Sequence, residues 1–130
     1  SILDEIDFEL ELIHRDRVNV AYIINAVIFG EAETKLAVEM EGQEYELKNL
    51  KPSPYQEYLL DSGSERFFSV TVTYIGVSES GATKKTKVKV LVAAENQEDA
   101  ISAVTQFNAD SLIAWEITAL KETNVVDVLM

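Results

Sequence analysis

Between residues 66 and 77 the chain reads RFFSVTVTYIGV, in which Phe68, Val70, Val72 and Tyr74 alternate with Ser69, Thr71 and Thr73. A period of two puts the apolar set on one sheet face, so the run predicts a half-buried strand. SESGATK (78–84) supplies turn residues, and beyond it Val88, Val90 and Val92 alternate with Lys85, Lys87 and Lys89. Two alternating runs about a turn predict a hairpin. Asn96 then stands where a helix cap is needed, with Asp99 three residues on, and Ala100, Ala103, Val104 and Phe107 recur at helical spacing. LIAWEITAL (112–120) returns to strand composition, with Trp115 on the parity of Ile113 and Ile117 and so assigned to the core.

The first half repeats this grammar. Phe8, Leu10 and Leu12 alternate with Glu9 and Glu11; Val18, Val20, Tyr22, Ile24 and Ala26 alternate with Asn19 and Asn25; Ala32, Leu36 and Met40 form a helical stripe. Laying Ala26 on Ala94, an offset of 68, also lays Val20 on Val88, Ile24 on Val92 and Ala32 on Ala100. A gap of two residues then brings Leu47 onto Ile117 and Leu50 onto Leu120. The pattern predicts a duplicated strand-strand-helix-strand unit, 1–61 and 66–130, joined through PSPYQEYLLDSGSE (52–65). Either repeat alone offers little core, so the expectation is one α+β domain over 1–130, two-layered and largely antiparallel, with a shared core. Expected core positions are Leu10, Leu12, Val20, Ile24, Leu36, Val70, Val72, Val90, Val92, Val104, Phe107, Trp115 and Ile117. Tyr55, Tyr58, Leu59 and Leu60, and VVDVLM (125–130) in the second repeat, are sticky segments expected to dock within the chain.

Charge changes the picture. The chain carries a net -12, yet four of its eleven basic residues crowd into KKTKVK (84–89). Lys85, Lys87 and Lys89 share one strand face, which reads as a basic solvent stripe. A nucleic-acid grip needs a wider basic footprint with stacking aromatics, and here only Phe67 is at hand. The acid is concentrated elsewhere: residues 1–61 hold 14 acidic and 5 basic side chains, net -9, against 9 and 6, net -3, in 62–130. Asp7, Glu9 and Glu11 project from the first strand as an acidic face, the counterpart of the lysine stripe; both rows read first as solvated charge that protects hairpin edges, and as cross-strand ion pairs if the duplicated strands share a sheet or meet between subunits.

Little in the chain suggests catalysis. There is no cysteine, and the single histidine, His14, has no partner imidazole or thiolate for a metal or acid-base constellation. Asp61, Ser62, Gly63, Ser64 and Glu65 are oxygen-rich but lack calcium-loop spacing, so they read as linker. No phosphate loop or nucleophile elbow is present. The expectation is a protein that is not an enzyme, with no cofactor and no metal. No run approaches a bilayer span, so no membrane role is expected.

YIINAVIFGEAETKLAVEM (22–40), followed by RFFSVTVTYI, ESGATKK and LVAAENQEDA, resembles an uncharacterised domain-of-unknown-function family of gut Bacteroidetes and their phages. The resemblance implies a phage or mobile-element origin and brings no active-site residues. With the charge split, it suggests an interaction module, phage-encoded, whose acidic first unit binds a protein partner with a basic surface, even as a nucleic-acid mimic. The alternatives are a virion accessory or assembly component and a small-ligand-binding module. Direct nucleic-acid binding is not expected, self-association is left open, and the setting would be host cytoplasm or virion.

Overall fold

The computed structural model describes residues 4–130. Its elements run β1 (Ile6–His14), β2 (Asn19–Ala26), α1 (Phe29–Glu39), β3 (Tyr45–Pro52), β4 (Glu57–Leu59), β5 (Phe67–Val77), β6 (Thr83–Ala93), α2 (Gln97–Phe107), β7 (Ala114–Glu122) and β8 (Val125–Leu129). The fold is α+β. Two four-stranded mixed sheets form, in the orders β3-β1-β2-β8 and β4-β6-β5-β7, each with one helix. The repeat is exact in the helices, which begin and end 68 residues apart, and it extends to irregularities. The β1–β3 ladder slips between Glu11 and Leu12, and the β5–β7 ladder slips at the equivalent Thr71 and Val72.

Each sheet takes its fourth strand from the other repeat. β8, the end of the second repeat, pairs in parallel with β2, while β4, the end of the first, pairs in parallel with β6. The compact units are therefore unit 1, the residues up to Pro54 with Asn124–Met130, and unit 2, Tyr55–Thr123. Chain geometry accounts for the exchange. β2 and β3 are both antiparallel to β1, so they run the same way, and a fourth strand parallel to β2 would also run parallel to β3. Joining parallel strands in one sheet takes a crossover of about a dozen residues or more. The connectors after β3 and β7 are residues 53–56 and 123–124, far too short.

In unit 1, α1 lays Ala32 and Leu36, and its cap residue Met40, onto Phe8, Leu10, Leu12, Val20, Tyr22 and Ile24. In unit 2, α2 lays Ala100 and Val104 onto Phe68, Val70, Val72, Val90 and Val92. Each buried aliphatic or aromatic side chain contributes roughly 1.5–3 kcal/mol. Each unit thus has its own cluster of buried apolar side chains beneath its helix. In both helices the first buried residue is small, Ala32 in α1 and Ala100 in α2. The cap of α2 is the expected one: Asn96 Oδ1 accepts from the Asp99 amide at 2.8 Å.

Three expected core positions behave otherwise. Phe107 is 49% exposed, since the buried stripe of α2 steps by four from Ala100 to Val104 to Asn108 and passes it by. Trp115 and Ile117 are only partly buried, because β7 is an edge strand. Conversely, Ile23 and Leu91 are fully buried on the strand parity that the helices do not cover, as are Ser69 and Thr73. Ser62 and Ser64 fold their loop onto β6: the Ser62 hydroxyl donates to the Ala93 carbonyl at 2.6 Å, and the Ser64 hydroxyl to the Ala94 carbonyl at 2.9 Å.

Candidate functional site

The acidic row of β1 is held by its own sheet. Asp7 accepts from the Asn25 side-chain amide at 3.0 Å. Glu9, only 8% exposed, and Glu11 share the Lys51 ammonium of β3 at 3.2 and 3.8 Å. This neutralisation follows from register, since Glu9 lies directly opposite Lys51. β1 and β6 belong to different sheets, so the acidic and lysine rows are not neighbours within one sheet. On β6, Lys87 and Lys89 face Thr73 and Thr71 of β5, and Lys85 faces Ile75. Lys85 and Lys87 are exposed, whereas the Lys89 ammonium sits 5.5 Å from the Tyr55 ring centre in a cation–π contact. Among the described residues none of these lysines forms an ion pair. Phe67, the one stacking aromatic at hand, is buried.

Two carboxylates of unit 1 without an ion pair among the described residues stand at the C-terminal end of α1. Glu39 closes the helix, Glu41 follows, both are exposed, and no basic residue occupies the last turn. The helix dipole is negative at that end, so each carboxylate there costs about 0.3–1 kcal/mol. The Tyr22 phenol reports the local field: burial pushes its pKa up, and the charges of Glu39 and Asp127 push it further. Glu44 and Glu46 carry the acidic surface into β3 but have partners, Arg15 at 3.6 Å and Lys48 at 3.2 Å.

At the N-terminal end of α1 the cap residue is Ile28, whose side chain cannot cap. Glu31 substitutes, its Oε2 accepting from the Val27 amide at 3.2 Å while its other oxygen meets the Lys35 ammonium at 3.2 Å. These contacts, the backbone one first, hold the Glu31 carboxyl below the usual range. In unit 2, Arg66 grips Glu122 with two guanidinium nitrogens at 2.8 and 2.9 Å and also reaches the Glu95 carbonyl. Its hydrogen bonds lower the Glu122 carboxyl and raise the Arg66 guanidinium.

His14 ends β1 at a turn, where its amide donates to the Val18 carbonyl at 3.0 Å. It lines open clefts of about 320 and 520 Å³ with Arg15 and Glu44. Among the described residues no group of three or more histidine or carboxylate side chains is placed to hold a metal ion. No described helix is long and apolar enough to cross a membrane.

No curated protein and no solved structure matches the chain significantly. One family does, with the match running over residues 6–130 and so taking in every strand and helix described above. The chain belongs to the family described as Domain of unknown function (DUF4494).

Proposed function

We propose that this chain is a non-catalytic binding module that engages a basic surface on a protein partner through unit 1. The observation that carries the reading is the uncompensated acid at the C-terminal end of α1. Unit 1 holds 13 acidic and 5 basic side chains, net -8, against 10 and 6, net -4, in unit 2. Where β1 neutralises its row with Lys51, α1 leaves Glu39 and Glu41 facing solvent at the dipole end that disfavours them. A cationic partner would relieve that cost on binding, so the field steers association and contributes to affinity. We place the module in a phage setting, in host cytoplasm or on a virion, on the strength of the family resemblance. There the basic channel of a nucleic-acid enzyme is a suitable target.

Calorimetric titration of the whole chain with an arginine-rich peptide tests this. Binding is expected to weaken as salt rises. Replacing Glu39 and Glu41 with Gln should weaken it about tenfold, equivalent to ~1.4 kcal/mol, while Gln at Lys85, Lys87 and Lys89 should leave it unchanged or tighter. Equal binding by wild type and the Glu39/Glu41 variant would remove the reading. An assembly role is the weaker alternative, since the open edge of β6 is lined with lysines that deter strand pairing.

A further inference from the structure

The two repeats differ at a position that borders a cleft. In α1, Lys35 runs from the helix to the sheet below, where its ammonium donates to the Asn25 carbonyl at 2.7 Å and pairs with Glu31 at 3.2 Å. At the offset of 68, Lys35 falls on Ala103, Asn25 on Ala93 and Glu31 on Asp99. Unit 2 thus keeps a carboxylate but lacks the lysine, and its Ala93 carbonyl accepts from the Ser62 hydroxyl at 2.6 Å instead. Beside Ala103 lies a cleft of about 410 Å³. Leu59, Ala103 and the half-exposed Phe107 give it apolar walls, and Asp61 and Ser62 stand among its polar lining. The Ser62 oxygen accepts from the Ser64 amide at 3.2 Å, which leaves it one further lone pair.

We propose that this cleft receives a lysine side chain from the partner protein. The four-carbon stem would lie against Leu59, Ala103 and Phe107, and the ammonium would meet the Asp61 carboxylate and the Ser62 oxygen. The molecule itself supplies the precedent, because unit 1 fills the equivalent position with its own Lys35. The exposed Phe107 ring, which packs into no core, gains an alkyl chain to cover it. The proposal rests on the reading of the chain as a module for a basic partner, and it names the side chain recognised. No sequence motif announces the site; the signal is the substitution of Ala for Lys between aligned repeats.

A nuclear magnetic resonance titration of the whole chain with N-acetyl-lysine N-methylamide decides the matter, using the norleucine analogue as a neutral isostere. The lysine probe should give saturating shifts confined to residues 59–62, 93 and 103–107, with a Kd on the order of 1 mM. Norleucine should bind at least about fivefold more weakly. Ala103→Lys should fill the cleft from within and abolish the shifts; if that variant fails to fold, Asp61→Asn should weaken the lysine probe about tenfold and leave norleucine unaffected. Equal binding of the two probes, or an unchanged titration in a folded Ala103→Lys protein, would overturn the proposal. A blank titration while the arginine-rich peptide still responds to the Glu39/Glu41 variant overturns the cleft alone. A cleft that takes lysine while that variant changes nothing overturns the acidic reading of α1 alone.

Discussion

At the scale of single residues, Glu31 shows how a side chain compensates for a missing cap. Ile28 offers no acceptor, and the carboxylate three residues on takes the Val27 amide and Lys35 together. Its lowered pKa means that the fold favours the charged form. The stability it contributes is therefore present above the ordinary carboxylate range and is lost as pH falls through its lowered value. Acidification also relieves the repulsion of a chain of net charge -12, which acts in the opposite direction, so the wild-type profile alone cannot isolate Glu31. The difference can: Glu31→Gln should be destabilised near pH 7 and match wild type by about pH 3, as measured by urea denaturation. A gap that stays constant across that range would mean packing, not charge, is at stake. Residue roles were legible where spacing decides them, as with Asn96, and illegible where tertiary partners do. The alternation puts Glu9 on the parity away from the helix, yet the side chain is buried there and paired with Lys51, which alternation does not encode. Phe107 fits helical periodicity yet falls on the wrong side of a four-residue stripe.

At the scale of elements, the duplicated strand-strand-helix-strand order was legible because periodicity and caps are local properties. The exchange of fourth strands was not. YQEYLL and VVDVLM could be recognised as apolar segments in need of cover, but their sheet partners are set by edge availability and connector length, which no local pattern encodes. The exchange carries a mechanical consequence. β8 supplies the buried Val125 and covers the edge of β2 from Ala21 to Ile24, although it is the last strand of the chain. Ending the chain after Thr123 should leave that edge unpaired and a strip of unit 1 apolar surface in water. Hydrogen exchange should then accelerate at residues 21–24, with weak self-association in scattering, while the β5 and β6 amides of unit 2 stay protected. Uniform acceleration in both units would show that their stabilities are coupled, and unchanged protection at residues 21–24 would refute the structural role given to β8.

At the scale of the whole molecule, the lysine row has to be weighed against the field in which it sits. Both units are net negative, and phosphate binding gains most of its free energy from counterions released at many contacts, so two exposed lysines and one engaged with Tyr55 fall short. The register suggests a different role. β4 pairs with β6 only from Val90 to Val92, so toward the hairpin end the outer edge of β6 is open among the described residues, and that is where Lys84, Lys85 and Lys87 lie. Charged side chains along an open edge prevent a second edge from docking, because like charges would be brought face to face. Wild-type protein should therefore fail to retard random-sequence duplex DNA at about 0.15 M salt, where exposed charges are screened beyond ~8 Å. Gln at Lys84, Lys85 and Lys87 should leave that result unchanged but make the protein associate through the bared edge, visible as concentration-dependent mass in sedimentation. Salt-sensitive DNA binding by wild type that the lysine variant loses would reverse the assignment. A lysine variant that stays monomeric at every concentration would show instead that the edge is protected by the twist of the hairpin rather than by its charge.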